Sequence, residues 1–249
     1  MGMNLDRKPH DKKHFSWSYS KWKSFSECKR KYMLMTYKKE FNLPAQIGDT
    51  YNLDRGIAIH KEAEGYVKGE ITGLPKSLSK FKPEFLSLLK QKSIAEDDWW
   101  MDRNWKRIPK FDWDNLWIII KVDAHGLVDQ KKRLRMVDYK TGREYPSHED
   151  QAEIYAAAGY CIYETIEEVR TEFWYIDQDK TTPFFYHSGE PEDLEGNELY
   201  KLKYKWTVNG IELEDTTLFE PNPAFWTCKF CNANQIYGGP CHDACNERD

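Results

Sequence analysis

Asp138 and Lys140 stand two apart in the run VDYKTG, so in a strand both side chains leave one face and Tyr139 leaves the other. Upstream, an apolar run of Val122, Ala124, Leu127 and Val128 arrives at Asp129; QKKR supplies a turn, and Leu134, Met136 and Val137 return the chain to Asp138. This hairpin is expected to bring Asp129 near Asp138. Two carboxylates and a lysine converging there would form a divalent-cation site with a cationic partner. For a D-x-K alone, the plainer reading is a solvated hairpin with scattered charges. Two further pairs alter that balance. His60 and Glu64 lie one helical turn apart on a common face, and so do Gln151 and Tyr155. Taken singly, the first is an exposed ion pair and the second a surface glutamine beside a core tyrosine.

The elements that would carry these residues follow from periodicity. Residues 16–40 read as a helix after a serine cap, with Trp22, Phe25, Tyr32, Met33 and Met35 as packing positions. A loop follows near Pro44–Leu53. Residues 55–68 read as a helix, with Ile57, His60, Glu64 and Val67 on one stripe. Phe81, Phe85, Leu88 and Leu89 suggest another helix over 75–95. Residues 96–117 hold five of the ten tryptophans among charges. They form either an aromatic strand and loop packed on a sheet, the favoured reading, or a surface on which bases stack. Residues 149–165 read as a helix. Residues 171–176 and 182–187 read as a strand pair around DQDK, and 189–222 as acidic and irregular, with possible helix near 192–204.

Composition narrows the class. A chain of 249 residues with 40% hydrophobic and 15% aromatic content can bury a sizeable core, as one large domain or a domain with an appendage. No apolar run approaches the roughly 20 residues that span a bilayer. The first residues have no signal-peptide character, so an intracellular, cytoplasmic protein is expected. Net charge is −4, yet residues 1–40 carry eleven basic against four acidic side chains, and residues 161–220 carry five against fifteen. That polarity suits a protein with one face toward a polyanion, and also a merely dipolar surface.

Six cysteines occur, at 28, 161, 228, 231, 241 and 245, four of them in the last 22 residues. In a reducing compartment such clustering suggests metal ligation rather than disulfides. Cys161, in AAAGYCIY, reads as a core residue.

In chain order, Gly56-x-x-x-His60-x-x-x-Glu64, Gly126-Leu127-Val128-Asp129, Asp138-Tyr139-Lys140-Thr141-Gly142 and Gln151-x-x-x-Tyr155 resemble the PD-(D/E)XK nuclease superfamily, and within it the RecB-like branch. The resemblance covers about 55–155. It implies an α/β restriction-endonuclease-like core, a central mixed sheet flanked by helices. It further implies Asp129 and Asp138 as metal ligands, His60 as another and the Tyr139 backbone carbonyl as a completing ligand. Lys140 would position water or stabilise developing charge, Gln151 and Tyr155 would hold the lysine or the DNA backbone, and Glu64 would stand behind the ligands. Hard oxygen donors suit Mg²⁺, and Mn²⁺ accepts an added imidazole. Asp in place of Glu before x-Lys is within the family's pattern.

Cys28, Cys228, Cys231 and Cys241 resemble the ligands of the family's iron–sulfur exonucleases, of the AddB and CRISPR-adaptation types, in which a [4Fe–4S] cluster joins the chain ends. Here the gap before Cys241 is long, and Cys245 is an alternative last ligand. Cys228, Cys231, Cys241 and Cys245 would instead make a tetrahedral zinc site. The expected organisation is a single nuclease domain over 1–249: an N-terminal helical segment (1–54), a catalytic core (55–188) and a C-terminal cysteine segment (189–249).

The function this implies is a metal-dependent DNA exonuclease acting on single strands or ends in recombination, repair or replication. The basic residues Lys21, Lys23, Lys29, Arg30 and Lys31 would track phosphates. Without a G-x-x-x-x-G-K-[ST] run, a stand-alone nuclease is expected, of the size a phage or mobile element encodes, with an oligomer or a recombination partner protein as further possibilities. The alternatives are an endonuclease of the same fold and a non-catalytic nucleic-acid-binding module. The latter has no need of a carboxylate pair.

Overall fold

The computed structural model describes residues 15–37, 51–163, 165–189, 197–215, 220–222, 224, 228, 231, 233–235, 239 and 241. Cys245, residues 1–14 and most of the 44–53 loop lie outside them. The chain divides into two compact units, one formed by residues 49–208 and the other by 1–48 with 209–249.

The larger unit is built on a five-stranded sheet in the order β1 (Ile94–Met101), β2 (Ile118–Val128), β3 (Arg133–Lys140), β4 (Glu168–Tyr175) and β5 (Lys180–His187). All neighbours are antiparallel except β3 and β4. A parallel pair needs a long crossover, and residues 141–167 supply it with helix α5 (His148–Ile162). The architecture is the expected α/β restriction-endonuclease-like one, a mixed sheet flanked by helices.

Alternation along β3 assigns the two faces. Val137 and Tyr139 enter a core with Ile59, Ala63, Tyr66 and Val67 of α3 (Tyr51–Val67) and with Phe85 and Leu88 of α4 (Lys82–Lys90). The buried stripe of α3 is therefore offset from the expected one: Ile57 is exposed, while Ile59 and Ala63 are covered. On the other face, Leu134 and Met136 meet α5 at Gly159, where an added Cβ would lie 2.4 Å from the Leu134 side chain. The helix expected over 75–95 is a 3₁₀ segment, Lys76–Phe81, leading into α4.

One buried charge cluster ties these layers. The Glu172 carboxylate on β4 accepts from Arg135 Nε (2.8 Å) and Nη2 (2.9 Å) and from Trp174 Nε1 (2.8 Å), and it forms an ion pair with Arg170 at 2.7 Å. Arg135 also donates to Ser87 Oγ and Gln91 Oε1, anchoring the end of α4 to the sheet.

Within the stretch 189–222, where a helix is expected near 192–204, the helix α6 runs over Glu198–Glu214, starting later and extending further, with Leu199, Leu202, Trp206 and Leu213 buried. Its acidic surroundings mask the continuation of that helical spacing to Glu214.

In the second unit the expected 16–40 helix is broken. α1 (Tyr19–Glu27) stops at Cys28, whose backbone is extended (φ −164°), and a single turn, α2 (Lys29–Lys31), leads into a π-helix at Tyr32–Tyr37. Ser18 takes the cap position but bonds the Ser20 hydroxyl rather than a helix amide.

Candidate metal centre

The site forms where β2 and β3 part. Their ladder runs from Val128–Arg133 to Ala124–Val137 and ends there, although β2 continues against β1 and β3 against β4. Continuing that register by one residue sets Asp123 level with Asp138. The Tyr139 N–H, released from the ladder, donates to Asp123 Oδ2 at 2.6 Å. The opened strands admit α3, and His60 Nδ1 lies 3.2 Å from Asp123 Oδ1 and 3.9 Å from a Glu96 oxygen. Glu96 sits on β1 with φ 50°, a left-handed backbone that interrupts pairing between Ala95–Ala124 and Asp97–Val122. A non-glycine residue in that region is strained, and such strain gathers at functional sites. Among the described residues, His60, Glu96 and Asp123 offer ligand atoms all within 4.8 Å of one another.

From α5, Gln151 Nε2 donates to Asp138 Oδ2 (2.7 Å), while Gln151 Oε1 accepts from Lys140 Nζ (3.0 Å). The Tyr155 hydroxyl stands 2.8 Å from Asp138 Oδ2 and 2.6 Å from the Lys121 carbonyl, and donates to one of them at a time. Burial, reinforced by the charges of Asp138 and Asp123, pushes that hydroxyl well above its usual pKa, so it remains a donor. Lys140 Nζ approaches Asp138 Oδ1 to 2.6 Å. Asp138 is thus held from one side by glutamine and tyrosine and reached by lysine from the other.

The electrostatics call for a cation. Burial, then the charge of Asp138, raises the Asp123 carboxyl, against the pull of His60 and the Tyr139 N–H. Burial and the Asp123 charge lift Glu96 to about 7. Burial alone would lower His60, but the hydrogen bond and charge of Asp123, with Asp138 and Glu96 behind it, lift it to about 9. Asp123 and Glu96, crowded beside Asp138 and partly desolvated, repel one another unless protons or a cation intervene, because Lys140 reaches only Asp138. Oxygen donors with a single imidazole fit Mg²⁺ or Mn²⁺.

The structure thus gathers His60, Asp138, Lys140, Gln151 and Tyr155, and it adds Asp123 and Glu96, which no motif in the sequence marks. Asp129 is elsewhere, and its expected position opposite Asp138 is corrected. It opens the β2–β3 turn with φ 50°, its side chain is 61% exposed, and it pairs with Arg133 at 2.7 Å. Six residues of strand separate it from Asp123, about 20 Å at ~3.3 Å per residue. Tyr139 contributes its backbone N–H to Asp123, and its ring is buried against His60, Phe85 and Trp174. Glu64 pairs with Lys68 one turn along α3 and adds its charge near Glu96.

In the second unit, Cys28, Cys228 and Cys231 are buried and Cys241 is half-buried, all as free thiols. Cys28 Sγ accepts from the Lys31 N–H (3.4 Å) and the Asn222 N–H (3.5 Å). Cys231 packs with Met33, Leu34 and Ala233, and Cys241 lies against that cluster. Burial raises the Cys231 thiol, and the neighbouring Cys28 and Cys228 push in the same direction. Cys161, expected in the core, is half-buried at the end of α5 and raised by burial to about 11. Of the five basic residues expected to meet phosphates, Lys29 pairs with Glu212, Lys31 with Glu27, and Lys21 bonds the Ser16 carbonyl.

A mixed sheet that parts around acidic side chains, with a lysine two residues beyond one of them, fits a restriction-endonuclease-like metal-dependent nuclease. The chain belongs to the PD-(D/E)XK nuclease superfamily, whose family model matches residues 16–236. No curated protein matches it in sequence. Among solved structures, the crystal structure of SSO0001 is similar at 16% identity and TM-score 0.50, over 96% of this chain and 90% of that one, a likeness of fold. No helix among the described residues is long and apolar enough to cross a membrane.

Proposed function

We propose that this chain is a metal-dependent DNA exonuclease that hydrolyses phosphodiester bonds on single strands or DNA ends, with Asp123 in the role first expected of Asp129. The convergence of Asp123, Asp138 and Lys140 where the β2–β3 ladder ends carries this reading. Asp123, Asp138 and His60 would hold Mg²⁺ or Mn²⁺, with Glu96 adjacent. Bound there, the ion supplies Lewis-acid neutralisation of the scissile phosphate and an acidified water. Asp138 Oδ2 is fixed by Gln151 and Tyr155, so Oδ1 is held on the side of Lys140. Lys140 Nζ, steered by Gln151 Oε1, places a cationic donor beside the attacked phosphate and its attacking water. The strand opening admits the phosphate, and the ring of Tyr139 closes the floor beneath His60.

The cysteines support a structural cluster in the second unit. Cys28, Cys228, Cys231 and Cys241 would hold a [4Fe–4S] group, and the amide donors on Cys28 Sγ fit a thiolate ligand. Such a cluster would staple residues from both ends of the chain. A zinc site drawing on Cys245 is the competing arrangement, and iron and zinc analysis of anaerobically purified protein separates the two. Digestion of labelled linear, circular and end-blocked DNA with Mg²⁺ or Mn²⁺ tests the activity. Cleavage of linear strands only is expected; cutting of circular single strands would make it an endonuclease, and no cleavage at all would reject the reading.

A further inference from the structure

The long β1–β2 connection, residues 102–117, ends in an aromatic surface that the metal centre does not use. Of the five tryptophans between 96 and 117, Trp99, Trp100, Trp105 and Trp117 are buried, and this settles most of that stretch as core. Phe111 and Trp113 are not: they are 73% and 51% exposed. Both rest on Trp100, with ring centroids 5.5 Å and 4.7 Å away, so they stand on a fixed base. Phe111 is held outward by a left-handed backbone, φ 71°. For a bulky side chain that conformation costs energy, and here the strain keeps an apolar ring in water, the reverse of what stability alone would select.

The register locates this surface relative to the cleft. Trp100 pairs with Ile119 on β2, four residues from Asp123, about 13 Å at ~3.3 Å per residue. It lies toward the same end of the sheet as Lys140, away from the β2–β3 turn. That span is roughly four steps at the ~3.4 Å rise of a stacked strand. Exposed Lys121 stands between the two on β2, and the connection carries exposed Lys106, Arg107 and Lys110 ahead of the rings, with Asp112 and exposed Asp114 alternating with them. Arg107 and Lys110 reach Asp97 and Asp98 with side chains still 44% and 47% exposed. Rigid aromatic faces on a connection that also carries exposed cations suit unpaired bases on a phosphate backbone better than they suit an apolar protein partner or a duplex, whose bases are already stacked.

We propose that Phe111 and Trp113 form a stacking platform for unpaired bases of a nucleic-acid strand whose backbone runs along Lys121 into the cleft. This deepens the nuclease reading by giving the site a single-stranded substrate, and it rests on that reading for the direction of the strand. Stacking on such rings contributes about tenfold or more in affinity per base.

The test is binding of full-length protein, without divalent metal, to a labelled oligothymidine and to an abasic strand of equal length. The variant Phe111→Ala/Trp113→Ala should lose about tenfold or more on oligothymidine and little on the abasic strand, while Phe111→Tyr/Trp113→Phe retains binding. Equal affinity of wild type and the alanine variant for oligothymidine would overturn the platform, as would equal losses on both strands. A change of oligomeric state in the alanine variant, with no selective loss on oligothymidine, would assign the surface to a second copy instead. Because no metal is present, this outcome is independent of cleavage. Wild type that stacks bases but cuts no DNA would remove the nuclease reading and leave the platform.

Discussion

The two ends of the β2–β3 hairpin look alike as text and differ in chemistry. At one end Val122-Asp123 faces Asp138 across an opened ladder; at the other Val128-Asp129 leads into a tight turn and pairs with Arg133. Asp123 is buried, held by a backbone amide, and crowded by Asp138, Glu96 and His60. Asp129 is exposed, and its single cation satisfies it. What separates the two aspartates here is convergence: several elements deliver titratable groups to Asp123, while Asp129 meets the nearby Arg133.

The sharpest way to break this comparison is to exchange the two aspartates' fates. Asp123→Asn or Asp138→Asn should lower cleavage by at least about 10³-fold, since each would remove an anionic donor proposed to hold the ion that neutralises the transition state. DNA binding in the absence of metal should persist. Lys140→Ala should fall in the same range. Normal turnover in the Asp123 variant, measured on the labelled strands, would refute the assignment.

Between the two ends lies the Arg135–Glu172 pair, which tests stability without touching the site. Glu172→Ala leaves Arg135 buried and unpaired and strands the Trp174 N–H. Removing one partner of a buried pair costs about 3–5 kcal/mol, read as a lowered denaturant midpoint. A loss under about 1 kcal/mol would mean that water compensates the cluster.

The metal end should also carry a pH signature that the turn end lacks. His60 is raised to about 9 and Glu96 to about 7, so each folded group binds its proton more tightly than the unfolded chain does. Their contribution is complete below the unfolded values, ~4.3 for glutamate and ~6.5 for histidine, and is lost as pH rises through about 7 and then about 9. Metal-free protein should therefore lose thermal stability across that window. Mg²⁺ or Mn²⁺ replaces the protons, so its stabilising shift should grow with pH. A metal-induced shift in Tm that is flat from pH 6 to 9 would argue against ligation by His60.

Much of this was legible in the sequence. The strand, turn, strand and helix succession around Asp138, the D-x-K face, His60 on a helix and Gln151 one turn before Tyr155 are local patterns, and local spacing fixes them. Asp129 fits the motif because it follows Gly126-Leu127-Val128, but the register of the hairpin points elsewhere. Partner numbers in an antiparallel ladder have a constant sum, so a turn at QKKR sets Asp138 opposite residues 123–125, where Asp123 is the only carboxylate. Glu96 had no such signal. Its part depends on a left-handed backbone at one residue and on β1 pairing with β2 across a long connection, and neither follows from spacing. The α6 helix is legible in part, as the helix near 192–204, while net acidity masks its continuation to Glu214 although Leu199, Leu202, Trp206 and Leu213 keep a helical period.

The smallest expected effect belongs to the turn end, and it is the most discriminating between the two aspartates. Asp129→Ala removes an exposed pair with Arg133, worth at most about 1 kcal/mol at such a surface. It also puts alanine in a left-handed position that Asp tolerates better, adding a few tenths to the loss. Stability should fall by roughly 1 kcal/mol or less, and cleavage should match wild type because no group within reach of the phosphate has changed. A folded Asp129→Ala protein that no longer cuts DNA would return Asp129 to the catalytic set, and it would mean that the hairpin's two ends act together in a way their ~20 Å separation does not suggest.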